Sequence, residues 1–166
     1  MLHSFLHCLD KISPFSTAQA HCDVPCGIYD PSSAQIAALT VIRMLDQIKE
    51  LADKDTLSVA DHAKLSRLVS AKEEHAEQVK QEIRITWGDY FKQPQFDQVA
   101  GIHDLVHSIM LVASKCRQGI DQAHGLELLT LVNQFAEAFW LTKGIATFTA
   151  TCPYLPAQTV VYPKLD

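Results

Sequence analysis

An imidazole, two thiols and a phenol fall within eleven residues near the start of the chain, in His21-Cys22-Asp23-Val24-Pro25-Cys26-Gly27-Ile28-Tyr29-Asp30-Pro31. A peptide this compact can wrap one metal ion without help from distant parts of a fold. Its thiolates are soft donors, and square-planar nitrogen–sulfur surroundings suit Ni(II) or Cu(II) better than oxygen-seeking ions. Pro25 fixes φ and preorganises the loop, Gly27 relieves crowding where the chain leaves it, and Asp30-Pro31 reads as a helix N-cap and first residue. The same residues allow plainer readings: a disulfide, a zinc site, or an ordinary Pro-Cys-Gly turn. Just upstream lies Ala18-Gln19-Ala20, a small-residue sequence that a peptidase can cut. A cut after Ala20 makes His21 the new N-terminus and adds its α-amine to the available donors.

The segment HCDVPCGIYDP also resembles, without a gap, the HCDxPCGxYDP nickel-hook motif of the nickel superoxide dismutase family. Trp87-Gly88-Asp89-Tyr90-Phe91-Lys92-Gln93-Pro94 is similar to that family's W-x-D-Y-F-K-x-P segment, and Phe139-Trp140-Leu141-Thr142-Lys143 to its closing F-W-x-T-K. The resemblance runs from His21 to about Lys143, in the family's order. It implies one nickel ion per subunit, held by the Cys22 and Cys26 thiolates, the Cys22 backbone amide and the His21 amine, with the His21 imidazole axial. It implies dismutation of superoxide to O2 and H2O2 by Ni(II)/Ni(III) cycling, in a homohexamer whose neighbouring subunits cover each hook. Tyr29 is then the outer-sphere gate beside the metal, Asp23 lines the same pocket, and Lys92 stands near the mouth, where its charge would steer superoxide, weighed against a plain solvent-facing loop lysine. A rival reading keeps the hook but not the turnover: a nickel-binding or delivery protein.

Two positions depart from the family. Ala37 and His75 stand, by register, where many members carry a Glu and an Arg that support the axial imidazole. Such a pair orients a metal ligand from behind, so His75, alone or with Glu73 or Glu74, is a candidate substitute, weighed against a plain solvated histidine. His103 and His107, one helical turn apart, read as a surface pair, and Cys116 as a packed thiol. Cys152 is a candidate for metal delivery that no spacing requires.

The elements that must position these residues are helical. Ile36, Leu39, Ile42, Leu45, Ile48 and Leu51 recur every three residues, with Val41 and Met44 broadening the stripe. A second helix is predicted from about Ser58 to Tyr90, with Leu65, Leu68, Val69, Ala76, Val79 and Ile83 inward. A third carries Ile102, Leu105, Val106, Ile109, Met110, Val112 and Ala113. A fourth spans about Gln122 to Lys143, with Leu126, Leu129, Val132, Phe135 and Phe139 inward and Gly144 as its stop. Together they predict an all-α, antiparallel four-helix bundle with an N-terminal metal-binding hook. The expected division is a removable propeptide at 1–20, the hook at 21–31, the bundle at 32–144 and a C-terminal extension at 145–166. Pro153, Pro156 and Pro163 argue against a fifth long helix there, and its Thr and Val residues suit a strand or extended arm.

At 166 residues with a net charge of −5, the chain suits one domain with a real core. No basic block invites nucleic acid, and no apolar run reaches the ~20 residues of a membrane span. Five cysteines, an odd number, do not suggest a disulfide framework. In the leader the only basic residue, Lys11, follows the apolar stretch, the reverse of a secretory signal, although Ala18-Gln19-Ala20 fits an export site. The expectation is therefore a cytoplasmic protein activated by a maturation peptidase.

Overall fold

The computed structural model describes residues 26–165. Helix α1, Ser32–Ala52, starts where Asp30 places its carboxylate 2.8 Å from the Ser32 N–H, satisfying one of the donors a helix start leaves open. The cap falls one residue later than read: Pro31, expected as the first helical residue, is in the cap position and the helix begins at Ser32. The buried face of α1 combines Ala34, Ala37, Ala38, Val41, Ile42, Leu45 and Ile48. Ile36, expected inward, is 56% exposed.

Helix α2, Val59–Ile85, opens with a reciprocal cap: Ser58 Oγ accepts from the Asp61 N–H, and Asp61 accepts from the Ser58 N–H. The helix continues into a π-helical turn, Thr86–Tyr90, closed by Phe91 N–H on Thr86 O at 3.4 Å. A short helix α3, Gln93–Phe96, then leads to α4, Ile102–Gln118, and α5, Gln122–Thr142. Gly144, at φ +69°, ends α5 in the left-handed conformation expected of it, and Ile145 N–H returns to Trp140 O at 3.0 Å.

The four long helices form a closed ring in which α1 packs on α2 and α5, and α4 packs on α2 and α5. Consecutive long helices run antiparallel, so the start of α1, the end of α2, the start of α4 and the end of α5 share one end of the bundle. Val79, Ile83, Ile109, Leu128, Val132, Phe135 and Phe139 fill the centre. Ile48, Leu51 and Leu68 make a smaller cluster of their own. Gly125 sits at a tight contact of α5 with α1, since a Cβ there would lie 2.9 Å from Leu45 Cδ1 and 3.2 Å from Ile42 Cγ1. Leu126, beside it and expected inward, is 40% exposed.

Among the described residues one cation lies inside. Lys72 on α2 is 1% exposed and donates to Arg117 O at 3.0 Å and Gly119 O at 2.6 Å, tying α2 to the end of α4. Burial pulls its pKa below the usual lysine value.

The extension forms a hairpin, β1 (Thr147–Thr151) against β2 (Thr159–Pro163), antiparallel with Thr149 opposite Val161. It packs on the bundle. Gln35 Nε2 donates to Val161 O at 2.8 Å, and Asn133 takes the Val161 N–H at 3.2 Å while donating to Thr159 O at 2.9 Å. The bundle is thus the all-α fold read from the sequence, with a small sheet laid against α5. No helix among the described residues is long and apolar enough to cross a membrane.

Candidate metal centre

The hook's described part begins at Cys26, which is exposed. Gly27 follows at φ +70°, a conformation that favours glycine, and turns the chain toward α1. Ile28 points outward, 75% exposed. Tyr29 turns inward and is half-buried. Between the hook and the bundle runs a groove of about 540 Å³, lined by Cys26, Ile28, Tyr29, Ser33, Glu82 and Thr86. Its floor is fixed by Ser33 Oγ donating to Glu82 at 2.8 Å, which ties α1 to α2.

Tyr29 rests against Tyr90, ring centroids 5.7 Å apart. Tyr90 owes its position to the π-turn, whose extra residue per turn re-aims the side chains at the end of α2. Phe91 and Phe139 pack around its ring at 5.3 and 4.8 Å. Thr142 donates its hydroxyl proton to Phe139 O at 2.7 Å, so the Tyr90 phenol is the donor in its 2.7 Å bond to Thr142 Oγ1. The Lys143 ammonium sits 4.4 Å from the Tyr90 ring centre, a cation–π contact. Hook, π-turn and the end of α5 therefore meet around one aromatic wall.

His21, Cys22 and Asp23, like the leader, lie outside the described residues. Among the described residues no three His, Cys, Asp or Glu side chains gather into a metal site. The donor chemistry nevertheless fits nickel: Cys26 offers a soft thiolate at the groove, immediately after the stretch that carries the other thiol and the imidazole.

The model of the nickel-containing superoxide dismutases matches residues 16–143 of the chain. The superoxide dismutase [Ni] of Streptomyces coelicolor is 34% identical over 131 residues, covering 79% of this chain and 94% of the relative. That of Streptomyces seoulensis is 33% identical over the same extent. The chain belongs to the nickel-containing superoxide dismutase family. Solved structures agree. A native nickel superoxide dismutase is 33% identical, with TM-score 0.63, covering 74% of this chain and 99% of that one. A form with oxidised-state nickel ligation is 35% identical, with TM-score 0.64, covering 75% and 99%. As a nickel-containing superoxide dismutase the chain is an oxidoreductase acting on superoxide, and its cofactor is nickel.

The remaining candidates distribute unevenly on this nickel superoxide dismutase fold. Lys92 is exposed, but its ammonium folds back onto Gly88 O at 3.0 Å, and the cation on the tyrosine wall is Lys143. Tyr90 and Lys143 stood in the quoted motifs without a role, and only their meeting with Tyr29 gives them one. Ala37 is buried in the core. His75 is half-buried, with Nδ1 2.7 Å from Ala71 O of its own helix. His103 and His107 are exposed, the surface pair expected, and His103 also accepts from Trp87 Nε1 at 3.1 Å and packs on Phe96, fastening α4 to the π-turn. Cys116 is packed as expected, and burial pushes its thiol up to about 11. Cys152 is 2% exposed, with Sγ 3.2 Å from Tyr154 O, which removes it from the surface where a delivered ion would arrive.

Proposed function

We propose that a maturation peptidase cuts after Ala20, and that the mature chain works in the cytoplasm as a homohexamer with one nickel ion per subunit. His21, Cys22 and Cys26 hold the ion, through the His21 amine and imidazole, the Cys22 amide and the two thiolates. Nickel bound to these donors supplies a one-electron Ni(II)/Ni(III) couple that superoxide can both reduce and oxidise. Two superoxide ions and two protons then give one O2 and one H2O2.

The protein's own residues control approach and protons. Tyr29, backed by Tyr90, stands at the mouth, orders water there and limits access to small species. Asp23 lines the same pocket. The Tyr90 O–H is spent on Thr142, so the protons that complete H2O2 arrive through ordered water rather than from that phenol. Lys143 draws the anion toward the wall, with Lys92, its ammonium turned onto Gly88 O, contributing less. Ile28, exposed beside Cys26 and the groove, supports a neighbouring subunit as the cover of the hook.

One observation carries this reading: segments around residues 29, 90 and 142–143, distant in sequence, converge on a single wall beside Cys26. The test compares nickel-loaded protein beginning at His21 with the full chain in a superoxide-consumption assay. Activity confined to the trimmed form supports both the enzyme and the need for a free His21 amine. Tight nickel binding without turnover in the trimmed form overturns it in favour of a delivery protein.

A further inference from the structure

The hairpin lies beyond residues 16–143, the part matched by the family, and its two edges are treated differently. Cys152 N–H bonds Gln158 O at 2.9 Å and Lys164 N–H bonds Ala146 O at 2.8 Å, one pair at each end of the ladder. In an antiparallel ladder bonded and non-bonded pairs alternate. The even-numbered residues of β1 therefore bond to β2, and Thr147, Thr149 and Thr151 turn their N–H and C=O groups outward. On β2 the outward groups of Thr159 and Val161 are taken by Gln35 and Asn133. On β1 no described residue takes them.

Sheet edges are normally guarded by charge, proline, a bulge or a covering element. Among the described residues β1 has none of these. Thr147-Phe148-Thr149-Ala150-Thr151 is uncharged, as is everything from Ile145 to Pro163, so neither an acidic nor a basic partner gains electrostatically here. Phe148 is 50% exposed, and Thr149 and Thr151 are exposed.

The strand is also complementary to itself. Laid antiparallel against a second copy about a two-fold axis through Thr149, it pairs Thr149 with Thr149, and Thr147 with Thr151 in both directions. All three outward residues are then used. On the other face each Phe148 stands opposite Ala150, large against small, and threonine pairs of this kind favour a sheet. A two-fold contact of one patch with itself is the commonest way identical chains associate. We propose that β1 is a dimerisation edge, joining two copies of this chain into a four-stranded sheet ordered β2-β1-β1-β2. The contact is independent of nickel and of the hook.

Thr149 is the one residue that faces its own copy, and paired residues of this type have Cα atoms about 5.5 Å apart, within disulfide reach. Full-length Thr149→Cys, mildly oxidised, should therefore give on non-reducing gels a covalent dimer of twice 18.5 kDa, well above wild type and above the off-axis control Thr147→Cys. Light scattering on Thr149→Lys should show half the wild-type mass, restored by mixing with Thr149→Glu. A cross-link at 149 with unchanged Thr149→Lys mass still supports the pair, held inside a larger assembly. No excess dimer at 149, or equal dimer at 147 and 149, overturns the proposal, and either result is what an unrelated peptide occupying the edge would give.

Discussion

Lys143→Gln separates the charge at the tyrosine wall from the charge assigned by sequence to the mouth. The Lys143 ammonium is 4.4 Å from the Tyr90 ring centre, and Tyr90 is 5.7 Å from Tyr29, so the charge lies within about 10 Å of the Tyr29 ring. A unit charge acting on a superoxide ion over about 10 Å of water contributes about 0.4 kcal/mol. That is about a twofold gain in local anion concentration, since about 1.4 kcal/mol is tenfold. At 0.1 M salt the screening length is itself about 10 Å, which cuts the energy to about a third and the gain to about 1.3-fold. The assay is kcat/KM for superoxide by pulse radiolysis on nickel-loaded, trimmed protein over a range of ionic strength. Lys143→Gln should fall about twofold below wild type at low salt, and the two should converge as salt rises. Lys92→Gln should lose less, because that ammonium is turned onto Gly88 O. A thermal melt controls for the lost cation–π contact, worth about 0.5–1 kcal/mol. No loss at low salt, a loss that salt does not relieve, or a larger effect at Lys92 would refute the placement of the steering charge on Lys143.

Gly125→Ala sets helix propensity against overpacking. Alanine gains about 1 kcal/mol over glycine in a helix, but a Cβ 2.9 Å from Leu45 Cδ1 in a filled core costs about 1–3 kcal/mol. Urea denaturation should show net destabilisation of about 1 kcal/mol, and a stabilised variant would mean that α1 and α5 stand further apart. Cys116 keeps its proton in the fold to about 11, whereas the unfolded thiol ionises near 9.0. The unfolded state therefore binds fewer protons across that window, and stability falls by about 3 kcal/mol as pH rises through it. Cys116→Ala should flatten that slope in chemical denaturation at pH 8 to 11. Tyr90→Phe removes the bond to Thr142 and should cost about 1 kcal/mol in thermal unfolding while nickel content, read by elemental analysis, is unchanged. Chelating nickel from the trimmed enzyme should abolish superoxide consumption yet leave the far-ultraviolet helical signal intact, because the core is built from residues beyond the hook.

The four long helices were legible because their apolar spacing is local information, and so was the Gly144 stop, while the first cap fell on Pro31 rather than Asp30. The burial of individual residues was less so. A strict three-residue repeat falls about 60° short of closing a turn at each step. A run from Ile36 to Leu51 therefore winds around α1, and Ile36, at one end, leaves the core. Ala34, Ala37 and Ala38 complete the buried face, small residues chosen by the closeness of α2 and α5 rather than by their own hydrophobicity. Lys72 looks like any lysine of a polar helix. Its burial is dictated by two carbonyls more than forty residues further along, at the end of α4. The hairpin's Thr and Val residues announced extended chain, but where it docks depends on Gln35 and Asn133, which carry no local signal of that task.

The site divides in the same way. The hook motif, with its imidazole, two thiols and phenol, is written within eleven positions, and no fold is needed to read it. The wall behind it is written in topology. An antiparallel bundle brings the start of its first helix, the end of its second and the end of its last to one end, so Tyr29, Tyr90, Thr142 and Lys143 meet there without being near in sequence. The π-turn then decides which side chain of the second segment faces the hook: it turns Tyr90 inward and leaves Lys92 bound to its own turn. Motif proximity singled out Lys92 as a steering charge, and the structure adds Lys143, over the Tyr90 ring, as a second candidate. Loss of the π-turn would act on this end of the bundle first. Tyr90 would rotate out of register with Tyr29 and Phe139, and the aromatic wall would be lost before the bundle was, because the central packing of Val79, Ile109, Leu128 and Val132 does not pass through that turn.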